Sequence, residues 1–220
     1  MRLLSLFLLA STATLPAFFQ ASPSGQDERP DKPLATGDAK QIDTFLATWL
    51  VVEGNNSLAL AQLALQKATD PEVKAFAQMM IDDHRPFLQE LTPFAGGAAS
   101  GALRRPDQPN PVQNASLHSD GAFDHVGLIK DLGAQCLSSS RKELDAKQGA
   151  EFDRCFMGLA VVGHMRAHDM LTVFQEYASD PLDEVLGEGQ ETIETHLQKA
   201  KDGARKLEGK AVAAHGTTRK

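Results

Sequence analysis

From Val73, steps of four and three residues reach Ala77, Met80, His84, Phe87 and Leu91. These positions form one stripe of an amphipathic helix, apolar except for an imidazole near its middle. The same spacing joins Ile42, Leu46, Trp49, Glu53, Asn56, Leu60 and Leu63. It recurs as Ala160, His164, Ala167, Leu171, Phe174 and Ala178, and again as Leu182, Leu186, Gly189, Ile193, His196 and Ala200. A 4-3 stripe faces neighbouring helices, so each of four helices would carry at least one polar side chain inward.

Turn signals divide the chain at matching places. Asp38 is a suitable N-cap for a first helix reaching about residue 68. Thr69-Asp70-Pro71 supplies a turn, a cap and a proline fit for the first position of a second helix, which extends to about Leu91 with a kink expected at Pro86. Residues 95–121 are rich in Gly and Pro and read as a long crossover loop. Two short helical stretches follow near 123–137 and 140–148, split at Ser138-Ser139-Ser140, then a third long helix over about 150–178. Ser179-Asp180-Pro181 repeats the earlier punctuation before a fourth helix that continues to about residue 207. The repeat extends further: LALQKATDP is echoed by VFQEYASDP, and IDDH by IETH. An all-α fold follows, a four-helix bundle of two antiparallel helix pairs, with the crossover carrying short extra helices.

The domain plan is a signal peptide over 1–21, a flexible linker over 22–37, the bundle over 38–208 and a disordered tail over 209–220. Arg2, the apolar run Leu3–Leu9 and the small residues after it define the leader. It implies export, to a periplasmic or secreted location. No later segment is long and apolar enough to span a bilayer. The chain has 220 residues and a net charge of −7, which argues against nucleic acid as a partner. Cys136 and Cys155 are the only cysteines and lack CxxC spacing. They either bridge, if their helices lie side by side, or remain free thiols.

The polar seam residues share a depth. Asn56 precedes Asp70 by as many residues as His84 follows it, and His164 and His196 are likewise equidistant from Asp180. Glu53 lies one turn beyond Asn56, and His168 flanks His164. If the two hairpins pack in register, Glu53, Asn56, His84, His164 and His196 reach one interior layer. Imidazoles with a carboxylate suit one transition metal ion, zinc, iron or copper. The alternative is a buried hydrogen-bonded network that satisfies each imidazole without a metal. Asp82, Asp83, Glu191 and Glu194 read better as solvated surface acids than as partners of those imidazoles.

The segments NNSLALAQLALQKATDPEVKAFAQMMIDDH and EFDRCFMGLAVVGHMRAHDMLTVFQEYASDP, followed by ETIETHLQKAK, resemble the bacterial domain-of-unknown-function family 4142 over about residues 40–205. That resemblance implies a ferritin-like, exported bundle, and by position its histidines fall on His84, His164 and His196. The family's first-helix glutamate would fall near Ser57, where this chain has serine and places Glu53 one turn upstream. Ferritin-type ExxH pairs are lost as well, because Ile81 and Ile193 stand three residues before His84 and His196. Mononuclear rather than di-iron binding is the expectation. The resulting reading is a non-enzymatic exported bundle of uncharacterised role, with a polar interior layer able to hold one metal ion. Its alternatives are a metal-dependent oxidase or peroxide scavenger, and an interaction protein whose 95–121 loop meets an envelope partner; self-association into a homo-oligomer is a separate expectation.

Overall fold

Asp70 opens the second helix as the turn predicts: its side chain accepts from the Glu72 amide at 2.8 Å, and Pro71 occupies the first turn. The structure, a computed structural model, describes residues 36–95 and 124–217. They form five helices: α1 Thr36–Lys67, α2 Pro71–Leu91, α3 His125–Asp145, α4 Gly149–Gln175 and α5 Asp180–Thr217. Among the described residues there is no strand, and no helix is long and apolar enough to cross a membrane.

Helices α1 and α2 form one antiparallel hairpin and α4 and α5 another; α2 packs on α5, and α1 meets α4 more loosely. α3 lies mainly along α1. Its close approach is made at Gly133, where a Cβ would collide with the Val52 side chain. The apolar interior falls into two clusters. One includes Val73, Phe76, Met80, Ile81, Phe152, Phe156, Met157 and Ala160. The other includes Leu46, Leu50, Leu88, Leu91, Leu171, Leu182, Leu186 and Ile193. His84, His164 and His196 sit at the boundary between them.

Two buried carboxylates lock each hairpin to the turn of the other. Asp43 of α1 accepts from the Ser179 amide (2.9 Å) and hydroxyl (2.6 Å) at the α4–α5 turn. Asp153 of α4 accepts from the Thr69 amide (3.0 Å), the Thr69 hydroxyl (2.6 Å) and the Asp70 amide (2.9 Å) at the α1–α2 turn. Asp43 stands as far before Asp70 as Asp153 stands before Asp180, so the internal repeat includes the clamps.

Several expectations change. The two short helices are one, α3, because Ser138 to Ser140 lie towards solvent and Gln135 donates to the Ser139 hydroxyl, leaving the backbone ladder intact. The reach of α2 to Leu91 is as expected, with Pro86 inside it and facing solvent, so the carbonyl its ring leaves without a helix donor can be hydrated. The tail read as disordered from residue 209 continues α5 to Thr217. There Lys206 reaches Glu72 (2.9 Å) and Lys210 reaches Asp70 (2.6 Å), fastening the extension to the start of α2. Cys136 and Cys155 are free thiols. They do not bridge because α3 lies along α1 and makes only a slight contact with α4. The leader, most of the linker and the 96–123 part of the crossover lie outside the described residues.

Removing the Asp153 carboxylate strands two amides and a hydroxyl at a buried turn. Asp153→Ala is expected to cost about 3 kcal/mol in urea unfolding, more than Asp43→Ala, with Asp153→Asn recovering part of the loss. Equal, sub-kilocalorie effects of all three would remove the clamps from any role in stability.

Candidate metal centre

The hairpin clamps bring three imidazoles from three helices to one point. His84 of α2, His164 of α4 and His196 of α5 are all buried, at 6%, 3% and 1% exposure. The ring centroids are 5.3 Å apart for His84–His196, 5.4 Å for His164–His196 and 5.8 Å for His84–His164. Phe76, two turns before His84 on α2, closes one side with its edge-on contacts to His164 and His196. One nitrogen from each ring lies within 4.8 Å of the other two.

Hydrogen bonds on the outer side settle two of the tautomers. His164 Nδ1 is 2.7 Å from the Ala160 carbonyl oxygen. A carbonyl only accepts, so Nδ1 carries the proton and Nε2 presents a lone pair. His196 Nε2 is 2.8 Å from an Asp83 carboxylate oxygen, so Nε2 donates and Nδ1 presents a lone pair. The nitrogens left over, His84 Nε2, His164 Nε2 and His196 Nδ1, are buried and have no hydrogen-bond partner in the protein. A hydrogen-bonded network would supply donors at those positions. Here it serves only the outer edges of His164 and His196.

Burial pushes His84 down to about 3 and His164 to about 4, with the neighbouring imidazoles repelling a proton as well. His196 is also lowered, by burial first, although Asp83 pulls the other way. Neutral imidazole is the form that ligates a metal. A tetrahedral ion with bonds of about 2.0–2.1 Å holds nitrogen ligands roughly 3.3 Å apart, so small torsional moves suffice to close the triad.

The other predicted residues go elsewhere. Glu53 pairs with Arg166 at 3.6 Å, because α1 faces α4 rather than α5 at that level. Asn56 donates to the Gly133 carbonyl at 3.0 Å, drawn to α3, whose course along α1 the divided reading of that helix concealed. His168 turns to Glu194 (3.3 Å) and Asp169 (3.6 Å) on the partly exposed flank of α4. Ile81 and Ile193 pack in the two apolar clusters, so no carboxylate approaches from the positions an ExxH pair would use. Asp83, read as a solvated acid, orients His196. Its place just before His84, on a helix neighbouring α5, was the available signal.

A cavity of about 420 Å³ opens beside the triad between α1, α3 and α4. His84 and His164 lie on its wall, whereas His196 does not.

Residues 28–125 match the family model described as Domain of unknown function (DUF4142). This span takes in α1, α2 and His84, and stops before His164 and His196, short of the resemblance read over residues 40–205. No curated protein and no solved structure matches the chain.

The depressed imidazole values fix the sign of a pH effect. Below about pH 6.5 the unfolded chain takes up protons that the folded triad refuses, so folding stability is lost as pH falls towards 4 and then 3. Chelator-treated protein is expected to lose about 1.4 kcal/mol per pH unit for each such histidine. In urea titrations across that window His84→Leu should show a shallower slope. Parallel slopes for the two proteins would show that His84 is protonated in the folded state.

Proposed function

We propose, for a chain whose residues 28–125 match the DUF4142 family model, a metal-binding function in which one transition metal ion is held by His84 Nε2, His164 Nε2 and His196 Nδ1. The observation that carries this reading is three buried imidazoles, each with one nitrogen within 4.8 Å of the other two and each with a buried ring nitrogen that has no hydrogen-bond partner in the protein. Each such acceptor costs roughly 1–3 kcal/mol when unmade, a large fraction of a net stability of about 5–15 kcal/mol. A cation shared by all three turns that cost into binding energy. Three imidazoles suit zinc, copper or iron, and three protein ligands leave a coordination position open. Asp83 behind His196 fixes that ring and raises its basicity, as carboxylates behind metal-bound histidines do.

Export belongs to the same proposal. The leader-like segment MRLLSLFLLASTATLPAFFQAS supports delivery to a periplasmic or secreted compartment, where the protein would hold its ion. Metal-dependent chemistry is the second reading, and the cavity wall formed by His84 and His164 favours it, since an open position there could meet a substrate. The first reading asks less of the site: binding alone needs no reacting partner.

Elemental mass spectrometry of the full chain, purified without affinity histidines or chelator, should find close to one equivalent of metal. His84→Ala and His196→Ala should each abolish it. Asp83→Asn should keep the fold and weaken affinity about 10–100-fold, while Glu53→Gln leaves affinity nearly unchanged. Wild-type protein that stays metal-free after loading with zinc, copper and iron would end the proposal.

A further inference from the structure

The wall of the 420 Å³ cavity is mostly apolar but also carries Glu53, Asn56, Gln135, Ser139 and Arg166. Leu50, Leu60, Phe87, Phe156 and Leu171 give it an apolar body, while His84 and His164 stand together at one place on it. Its volume falls within the range of small-molecule sites, roughly 300–1,000 Å³. It is far larger than a coordinated water needs, at about 30 Å³.

Charge identifies what is missing. Three neutral imidazoles leave a divalent ion with its full charge, and among the described residues no carboxylate joins the triad. Asp83 is engaged behind His196, and Glu53, the acid on the cavity wall, is paired with Arg166. An anionic donor entering from the cavity would complete the coordination and halve the charge on the ligated ion.

We infer that the cavity binds a small organic monoanion, a carboxylate head on the metal with an apolar chain lying against Leu50, Leu60 and Phe156. This rests on the three-histidine metal site proposed above. The step is coordination only: a carboxylate oxygen takes the open position, displacing solvent, and no bond of the ligand breaks. The apolar chain supplies affinity by leaving water, about 0.8 kcal/mol for each methylene buried.

Gly163 offers a clean way to block the space. It lines the cavity and is exposed, so it stands at the cavity's open side, and a Cβ built there meets nothing within 4 Å, so a phenylalanine is accommodated at that opening without displacing the helix.

The test uses cobalt(II)-loaded full chain, its visible spectrum reporting the coordination shell, with octanoate as the probe and acetate as control. Octanoate should alter the cobalt bands and bind by calorimetry at least a hundredfold more tightly than acetate. It should bind at least tenfold more weakly to metal-free protein. Gly163→Phe should retain cobalt but lose the octanoate response at least tenfold. Cobalt bound with an unchanged spectrum and no heat from octanoate would overturn this inference while leaving the metal site standing. Octanoate binding that is unaltered in Gly163→Phe would place the ligand elsewhere and also overturn it. Failure to hold cobalt at all would remove the metal site and the inference together.

Discussion

The carboxylates of Asp43 and Asp153 decide how the two hairpins stand against each other, and the rest of the molecule depends on that register. Apolar stripes alone tolerate sliding, since a helix rises only about 1.5 Å per residue and presents similar side chains a turn later. A buried carboxylate fixed to two or three donors of one turn does not slide without stranding them. Asp153 is only 1% exposed and receives three such bonds. Because one clamp acts at the α1–α2 turn and the other at the α4–α5 turn, the hairpins are fixed at both ends. His84 is counted from one turn, and His164 and His196 from the other. Only with both clamps made do the two counts meet at one level.

That level interrupts an otherwise apolar interior. A slab of imidazole between the two clusters forgoes what three aliphatic side chains would contribute, about 1.5–3 kcal/mol each. α1 contributes no fourth imidazole, and the repeat shows how. Gly54 stands as far after Asp43 as His164 stands after Asp153. A Cβ at Gly54 would come within 2.6 Å of the Leu88 side chain. Leu88 therefore fills the space on that side, and both Gly54 and Leu88 line the cavity. The near-symmetry of the hairpins is broken where a ligand-sized space adjoins the triad.

What the sequence made legible was governed by period and by turns. The α2 boundaries follow from Asp70, Pro71 and a stripe ending at Leu91, and the three histidines could be placed at one depth by counting along helices of known rise. Interactions across elements were beyond such counting. The α1 stripe points Asn56 inward, yet it meets α3, whose position no period encodes. Glu53 was given to the same layer, but Arg166 lies off its own helix's apolar stripe and entered no seam. Lys206 and Lys210 hold the end of α5 through acids at the other hairpin, so local composition alone suggested a loose tail. Asp43 and Asp153 were legible in principle, as acids in matching positions of a repeat.

The ligand atoms also narrow the chemistry. Hard cations such as calcium and magnesium require several oxygen ligands, and the described triad offers only imidazole nitrogen. Di-iron chemistry needs bridging carboxylates projecting from the bundle helices, but Ile81 and Ile193 occupy the positions from which an ExxH pair would send them. The single borderline ion proposed above would be held by imidazole nitrogen alone, with Asp83 supplying negative charge from behind one ring. Such a centre is electrostatically incomplete towards the cavity. The bundle thus sets three buried imidazoles, brought to one level by its clamps, beside a cavity wall, and under the proposed function an anion arriving from that side would lower the centre's net charge.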